Sequence, residues 1–332
     1  MTFKIGISRD VLDENGEPSF GRAALAVLDQ NPTLQWEYLP ERFAELPPAI
    51  SATYDGVYIS VAKVTRSSLV RPDRRLKIVA RHGVGYDSVD VAACSEFGIV
   101  LTNTPLAVRR PMAVATLTLI FALASRLFIK DRLVREGRWN ERTSHMGTGL
   151  RMRTLGLVGG GGIGQEIMML AKPFFGRMIV ADPHANAQHI ASLGGGLTSL
   201  EAVMAESDVV VCCCLLNDET RHLINAERLA LMKATAYLVN VARGPVVDEP
   251  ALIDALIGKR IAGAGLDVFE QEPIAADNPL KALQNTILAP HALGWTDECF
   301  HDIASTGLQS LVDFSLGKRP AHVVNPEVYG KL

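Results

Sequence analysis

The chain has 332 residues, of which 48% are hydrophobic and 21% are charged, so it can bury two ordinary cores and is too apolar to be disordered. Its formal net charge of −3 provides no basic field for nucleic acid or for an anionic membrane surface. These values favour a soluble protein that acts on small molecules.

The N-terminal residues form a short strand followed closely by charges, and they lack the apolar core of a secretory signal. The longest uncharged run, residues 111–125, is too short to cross a bilayer. Cys212, Cys213 and Cys214 are adjacent in an apolar strand, which suits neither a metal site nor a disulfide framework and predicts reduced thiols. We therefore expect a cytoplasmic protein with no metal and no membrane or nucleic-acid partner.

The first hundred residues alternate between apolar runs and helical patterns. Short strands rich in Ile and Val are predicted at residues 4–8, 56–60, 76–80 and 99–102. A helix is predicted at residues 22–30, and residues 41–51 predict a loop followed by a short helix. This part of the chain therefore predicts a small α/β layer structure.

Residues 103–111 interrupt that pattern with two prolines and with the adjacent pair Arg109 and Arg110. An apolar helix is predicted at residues 112–127, with Pro111 at its first position, where no N–H donor is needed. Because most of its circumference is apolar, this helix is expected to be buried between two domains. We place the first domain boundary after Asn103.

A glycine fingerprint follows this helix, within a strand–helix–strand unit of the kind that gives the motif its weight. The glycines are spaced as G-x-G-x-x-G after an apolar run, and a second apolar run ends at Asp182, eighteen residues after Gly164. Gly159 would permit the tight turn, Gly161 the approach of a pyrophosphate, and Gly164 close packing of helix against strand. The helix N-terminus would attract phosphates, and the Asp182 carboxylate would accept from both ribose hydroxyls. The predicted cofactor is NAD, bound by Gly159, Gly161, Gly162, Ile163, Gly164 and Asp182.

Four more strands are predicted, at residues 208–214, 237–242, 263–268 and 286–289, which gives six with the two of the fingerprint unit. Helical patterns between several of them predict a doubly wound parallel sheet. The last helix, 297–316, and the irregular tail cannot form a core alone, and they are expected to complete the N-terminal domain. The predicted fold is α/β with two Rossmann-like domains, in which an NAD domain (104–296) is inserted into a discontinuous substrate domain (1–103 plus 297–332).

Side chains of three types that can take part in catalysis, an arginine, a carboxylate and a histidine, follow three successive predicted strands. Arg243 follows the fourth strand, a run of carboxylates follows the fifth, and His291 follows the sixth. Ligands of open α/β sheets bind at the carboxyl ends of the strands, so these groups are predicted to share one site beside the cofactor.

The chain resembles the D-isomer-specific 2-hydroxyacid dehydrogenases over almost its whole length. The matching segments, in order, are His82-Gly83-Val84-Gly85-Tyr86-Asp87, Thr102-Asn103-Thr104-Pro105, the glycine fingerprint, Asn240 to Gly244, Asp267 to Pro273, and Pro290-His291 with Gly294. The resemblance implies that Arg243 binds the substrate, that His291 is the acid/base, and that Glu272 rather than Glu270 is its carboxylate partner. It also implies NAD as cofactor, with Ala242 and Asp267 near it, and a homodimer.

General chemistry supports these roles. Reduction of a 2-oxo acid needs a hydride at C2 and a proton at the oxygen, and a histidine beside a carboxylate is favoured in its charged form. Arg243 offers a planar fork for the substrate carboxylate, and backbone N–H groups of Val84 and Gly85 would bind the same group. Asp267 either meets the nicotinamide or caps a turn, and Trp295 is either a core aromatic or a wall of the pocket.

The sequence departs from the family pattern in places, and other functions stay open. Thr116 replaces the usual glutamate of the interdomain helix, and Cys213-Cys214-Leu215 replaces a His-x-Pro ending. The alternatives are an NAD(H)-sensing corepressor-like protein, disfavoured by the absence of an extra module, and a formate dehydrogenase, disfavoured by Glu272 where that enzyme has glutamine.

Two features of the sequence bear on the substrate. Ile59-Ser60 stands where phosphoglycerate dehydrogenases carry Arg-Ser, which predicts weak activity on a phosphorylated substrate. Arg109 and Arg110, at the predicted helix start, form either salt bridges or an anion site in which Arg110 binds a distal polar group of the substrate.

Overall fold

The computed structural model describes residues 2–330, which form twelve strands, twelve α-helices and six 3₁₀ helices. The strands are β1 (Phe3–Ile7), β2 (Leu34–Tyr38), β3 (Gly56–Ile59), β4 (Ile78–Arg81), β5 (Val100–Thr102), β6 (Thr154–Val158), β7 (Arg177–Ala181), β8 (Gly195–Leu197), β9 (Val209–Cys212), β10 (Tyr237–Asn240), β11 (Gly263–Leu266) and β12 (Thr286–Leu288). The helices are α1 (Ala26–Asp29), α2 (Pro48–Thr53), α3 (Arg66–Leu69), α4 (Val91–Glu96), α5 (Pro105–Ser125), α6 (Leu127–Arg135), α7 (Gly162–Ala171), α8 (Ala187–Ser192), α9 (Leu200–Glu206), α10 (Ala226–Leu231), α11 (Glu249–Ile257) and α12 (Asp297–Ser315). The 3₁₀ helices are Arg9–Val11, Arg22–Leu25, Trp139–His145, Gly244–Val246, Pro279–Ala282 and Pro326–Gly330.

The chain divides into two compact units. The first unit contains the residues up to Val108 and those from Trp295 onward, and the second contains Arg109–Gly294. The boundaries predicted from the sequence, after residue 103 and before residue 297, differ slightly, because residues 104–108 and 295–296 belong to the first unit. A unit built from both ends of the chain surrounds, in sequence, a continuous one.

The first unit contains a five-stranded parallel sheet in the order β2-β1-β3-β4-β5. Buried apolar side chains cover both of its faces, as is usual for parallel sheets. On one face, Ala304, Leu308 and Leu311 of α12 pack with strand residues such as Tyr58 and Ile78. The C-terminal helix is thus part of this core.

The second unit contains a seven-stranded parallel sheet in the order β12-β11-β10-β9-β6-β7-β8. Its chain order reverses between β6 and β9, which pair directly. A reversal of this kind opens a crevice at the carboxyl ends of the two strands, where open α/β sheets bind ligands. The predicted α/β class with two parallel, Rossmann-like sheets is confirmed.

Two edge strands, β2 and β8, were not predicted from the sequence. β2 reads Leu-Gln-Trp-Glu-Tyr and buries only alternate side chains, so it lacks the continuous Ile/Val run of the inner strands. β8 begins with two glycines and is largely exposed. Edge strands need no apolar residues on both faces, so a continuous apolar run does not mark these two strands in the sequence.

Helix α5 differs from its prediction in both position and length. It begins at Pro105 rather than after Pro111, so Pro105 takes the first helical position and Pro111 lies inside the helix. It ends at Ser125, before Arg126, whose φ of 55° is left-handed. With 21 residues, and a mean hydropathy of 1.6 over its 18-residue apolar window, the whole helix is long and apolar enough to span a membrane by length and composition, although the uncharged run 111–125 alone is too short. However, Leu117, Leu119, Ile120 and Leu123 pack into the core of the second unit, as in a core helix.

Candidate active site

The glycine fingerprint forms the turn between β6 and α7. Gly159 has φ 113°, and a Cβ on it would lie 2.8 Å from the backbone nitrogen of Cys214. A Cβ on Gly164 would collide with the carbonyl oxygen of Gly159. The predicted structural roles of these two glycines, a tight turn and close packing of helix on strand, therefore agree with the geometry.

Gly161 is the N-cap of α7, and a Cβ on it would meet nothing within 4 Å. Since the first N–H groups of a ten-residue helix have no partner within the helix, this open surface can accept an anion. The adjacent residue Gly162 has a different environment, because a Cβ there would collide with the guanidinium of Arg109.

Asp182 follows β7 and connects that strand to the glycine turn. One carboxylate oxygen accepts from the N–H of Gly160 at 2.7 Å, and the other accepts from the N–H of His184 at 2.8 Å. Each oxygen retains a second lone pair, so the carboxylate can still accept from a hydroxyl group. Asp182 thus orients the glycine turn, a role that the sequence did not indicate.

The cysteines contribute to the same region as neutral thiols. Cys213 donates to the carbonyl oxygen of Gly159 at 3.2 Å. Burial raises the pKa of the Cys214 thiol to about 11 and holds that of Cys212 well above its usual range. All five cysteines of the chain are free, so the prediction of reduced thiols agrees with the structure.

Arg243 lies in a turn after β10 that is held from both sides. The side chain of Asn240, which is only 1% exposed, donates to the carbonyl of Arg243 at 3.0 Å and accepts from the N–H of Ala242 at 3.1 Å. A Cβ on Gly244 would collide with the carbonyl oxygen of Phe269, so the turn lies directly against the segment that carries Glu272. Asn240 is a positioning residue, a role that its place in the motif Asn240 to Gly244 does not reveal.

Glu272 and His291 are in direct contact. Nδ1 of His291 lies 2.8 Å from one carboxylate oxygen of Glu272, and the other carboxylate oxygen accepts from the N–H of Phe269 at 3.0 Å. Glu270 is engaged elsewhere, with Nε2 of His222 at 2.7 Å. The geometry therefore selects Glu272, as the resemblance implies, and leaves Nε2 of His291 for other partners.

The electrostatics of Glu272 favour its ionised form. Burial raises its pKa, but hydrogen bonds from His291 and from the N–H of Phe269, together with the charges of His291 and Arg243, lower it below the usual 4.5. The side chains of His291 and Glu272 are 43% and 38% exposed, so solvent screens the pair in part.

Asp267 holds the loop that follows His291 through hydrogen bonds. It is 2% exposed, and one carboxylate oxygen accepts from the N–H groups of Ala292 and Leu293 at 3.0 and 3.2 Å. Burial raises its pKa. Of the two roles considered from the sequence, the structure contains the turn-capping one, and contact with the cofactor stays a prediction.

In the first unit, the predicted substrate-binding residues Val84 and Gly85 lie in the loop after β4. Gly83 has φ 120°, and the side chain of Asn103 donates to the carbonyl of Val84 at 2.8 Å. Among residues 2–330, the backbone N–H groups of Val84 and Gly85 have no hydrogen-bond acceptor. They are therefore available to an anion.

Two aromatic residues of the first unit differ in environment. His82 is buried against Tyr58, Phe20 and Phe300, and burial, aided by the charge of Arg81, lowers its pKa to about 3. It is therefore neutral near pH 7. Trp295 is 62% exposed, with its ring 5.1 Å from that of Phe300, so the expectation that it is a core aromatic is wrong.

The prediction that Arg109 and Arg110 form an anion site at the N-terminus of α5 is wrong, because the helix begins at Pro105 and both arginines lie inside it. Arg110 forms an ion pair with Glu166 of α7 at 2.9 Å, which is the salt-bridge alternative considered from the sequence. Two residues beyond Arg110, Met112 occupies the space that a side chain on Gly294 would need. Helix α5 therefore contacts both α7 and the loop that follows His291.

Comparison with known proteins agrees with this geometry. A family model described as "D-isomer specific 2-hydroxyacid dehydrogenase, NAD binding domain" matches residues 117–292. The chain is 42% identical over 257 residues to a glyoxylate reductase of Korarchaeum cryptofilum, covering 76% of this chain and 77% of that protein. It is 40% identical over 280 residues to a glyoxylate reductase of Aeropyrum pernix, covering 82% and 84%.

Similarity to solved structures extends over both units. The structure of D-lactate dehydrogenase from Aquifex aeolicus, complexed with NAD and lactic acid, matches with a TM-score of 0.82 and 27% identity, covering 97% of this chain and 99% of that one. The extent of the family match and the identity to the two reductases together decide the assignment. The chain belongs to the D-isomer-specific 2-hydroxyacid dehydrogenase family and is an oxidoreductase with an NAD-binding domain.

Proposed function

We propose that this enzyme reduces a small, unphosphorylated 2-oxo acid to the D-2-hydroxy acid with NADH, and that glyoxylate is its first substrate to test. The observation that carries the proposal is the contact between His291 and Glu272, beside the Arg243 turn, at the carboxyl ends of β10, β11 and β12. The names of the two glyoxylate reductases support the choice of substrate.

The residues around the glycine turn fit a dinucleotide. Gly159 and Gly164 leave no space for side chains, Gly161 presents an open helix N-terminus, and Asp182 retains lone pairs for ribose hydroxyls. We assign the cofactor to these residues, to Gly162 and Ile163 beside them, and to Ala242 and Asp267 across the crevice. When bound, the nicotinamide supplies the hydride that reduces C2 of the substrate.

His291 supplies the proton that the new hydroxyl group needs. Its Nδ1 is occupied by Glu272, so Nε2 is the nitrogen that donates to the substrate oxygen in reduction and accepts the hydroxyl proton in oxidation. The ionised carboxylate of Glu272 stabilises the imidazolium and fixes the ring orientation. Glu272 itself keeps its charge throughout the cycle, because its pKa lies below the usual 4.5.

Arg243 binds the substrate and polarises its carbonyl group. A guanidinium can hold a carboxylate with two parallel hydrogen bonds, which fixes the orientation of a two-carbon acid that offers few other contacts. Asn240 and Gly244 hold the turn that carries Arg243. The N–H groups of Val84 and Gly85 are the predicted donors of the first unit to the same carboxylate.

The preference for NADH over NADPH rests on Asp182. A carboxylate that already accepts two backbone N–H groups is held in place and repels a 2′-phosphate. A phosphorylated 2-oxo acid is disfavoured for a separate reason: Ile59, which stands in place of an arginine, is fully buried in β3 and offers no cation.

Oxidation of NADH and of NADPH, followed at 340 nm with a panel of 2-oxo acids, tests the proposal. The panel contains glyoxylate, pyruvate, hydroxypyruvate, 2-oxoglutarate and 3-phosphohydroxypyruvate. We expect turnover of glyoxylate with NADH and only weak turnover of the phosphorylated acid. Binding of NADH without turnover of any 2-oxo acid would favour the NAD(H)-sensing alternative. Reduction of NAD+ by formate, followed at the same wavelength, would favour the formate dehydrogenase alternative. The predicted homodimer is checked separately by light scattering.

A further inference from the structure

Arg109 lies against the glycine turn, where the sequence predicts no cation. A Cβ on Gly162 would collide with Nε of Arg109 and would lie 2.7 Å from Cζ and 3.0 Å from Nη2. The guanidinium therefore occupies the space left by the missing side chain at the first residue of α7.

The two adjacent arginines of α5 differ in their partners. Arg110 is paired with Glu166, whereas the side chain of Arg109, which is half-buried, has no hydrogen bond or ion pair among residues 2–330. A guanidinium carries five N–H donors, and their partial removal from water is unfavourable unless an acceptor is present. An anionic ligand would supply that acceptor.

The N-terminus of α7 indicates which anion. Gly161 and Gly162 begin a ten-residue helix, whose free N–H groups and dipole attract phosphate, and the guanidinium lies over the same residues. We propose that Arg109 donates to the pyrophosphate of NAD(H), as a cofactor-binding residue delivered from α5. This inference rests on the proposed function, because it assigns a further contact to the same cofactor site.

The contact of Met112 with Gly294 explains how Arg109 is held in place. Residues three apart on a helix share a face, so the side chain that fills the space at Gly294 and the one that fills the space at Gly162 project from the same side of α5. Arg109 is therefore placed by a helix that contacts the loop after His291 through Met112 and α7 through Arg110.

The test is the Kd of NADH, measured by fluorescence titration of the full-length enzyme. Arg109→Ala should raise this Kd by about ten- to a hundredfold, as expected for the loss of charge-assisted hydrogen bonds, and Arg109→Lys should recover part of the loss. Arg151→Ala is the matched control, since it removes one exposed positive charge before β6, at the end of that strand opposite the glycine turn. The control should leave the Kd within about twofold, because exposed charges act weakly at a distance.

A second variant separates contact from general damage. Gly162→Ala should displace the guanidinium and weaken NADH binding in the wild-type background, but it should add little in the Arg109→Ala background. A penalty of equal size in both backgrounds would mean that the new methyl group itself obstructs the cofactor, and this would overturn the proposal. Thermal melting of each variant shows whether the fold is intact.

Ligand fragments locate the contact. ADP-ribose, which carries the pyrophosphate but no nicotinamide, should lose affinity for Arg109→Ala in parallel with NADH. An unchanged affinity for ADP-ribose, or a loss confined to NADPH, would place the guanidinium elsewhere and overturn the assignment. Failure of the wild-type enzyme to bind NADH would instead refute the proposed function, so the two failures are distinguishable.

Discussion

Replacement of Glu272 by glutamine should lower the rate of glyoxylate reduction without weakening the binding of NADH. The carboxylate has two donors to satisfy, Nδ1 of His291 at 2.8 Å and the N–H of Phe269 at 3.0 Å. A glutamine has one oxygen, so it can accept from only one of them. The variant therefore loses one hydrogen bond to a charged group and the negative charge beside the imidazolium.

The size of the effect follows from the exposure of the pair. A hydrogen bond to a charged group contributes about 1.5–3 kcal/mol, and the lower end applies here because both side chains are more than a third exposed. About 1.4 kcal/mol corresponds to a factor of ten in rate. The wild-type carboxylate stays ionised across pH 6–9, because the pKa of Glu272 lies below 4.5, so its charge is present above that value and is lost only in stronger acid.

The assay is kcat/KM for glyoxylate reduction at a fixed pH, together with the Kd of NADH from fluorescence titration. Reduction needs the protonated imidazole, which the carboxylate stabilises, so kcat/KM in Glu272→Gln should fall by about tenfold while the Kd of NADH stays within about twofold. Glu270→Gln is the matched control, because Glu270 contacts His222 instead. A kcat/KM within about twofold of the wild-type value, or an equal loss in Glu270→Gln, would refute the reasoning.

Three further predictions concern the cofactor, the Arg243 turn and the first unit. The wild-type enzyme should prefer NADH to NADPH by at least about tenfold in kcat/KM, or about 1.4 kcal/mol, and Asp182→Asn should narrow that ratio; comparable efficiencies in the wild type would contradict the role of Asp182. Gly244→Ala should lower the free energy of unfolding by about 1–3 kcal/mol in urea titration, because its Cβ would overlap the carbonyl of Phe269, whereas Gly196→Ala, with nothing within 4 Å, should change it little. The pKa of His82 is lowered to about 3, so below pH 6.5 the unfolded chain binds a proton that the folded chain excludes. The free energy of unfolding should therefore fall by about 2–3 kcal/mol between pH 7 and pH 4.5. A fall of the same size in His82→Gln would show that another group is responsible.

The inner architecture could be predicted because its determinants are local. The inner strands are continuous apolar runs, and the glycines of the fingerprint are required by backbone geometry at Gly159 and by steric contact at Gly164. The edge strands β2 and β8 could not be found in this way, since their partly exposed residues need no apolar pattern. The start of α5 was misplaced because two prolines, Pro105 and Pro111, each suit a first helical position.

The residues of the candidate site could be predicted from the sequence, but the residues that position them could not. Arg243, Glu272 and His291 are identified by their places after successive strands and by the family resemblance. The contacts of Asn240 with the Arg243 turn and of Asp267 with the histidine loop depend on tertiary geometry that no spacing reveals. Arg109 lies fifty-three residues before Gly162, and only the packing of α5 on α7 brings them together.

The most direct test of the central claim, that His291 transfers the proton, is the turnover of His291→Ala at saturating NADH and glyoxylate. We expect kcat to fall by about two to four powers of ten, the usual contribution of a general acid/base, while the Kd of NADH stays within about twofold of the wild-type value. Wild-type turnover by this variant, under conditions where the chemical step limits the rate, would contradict the account.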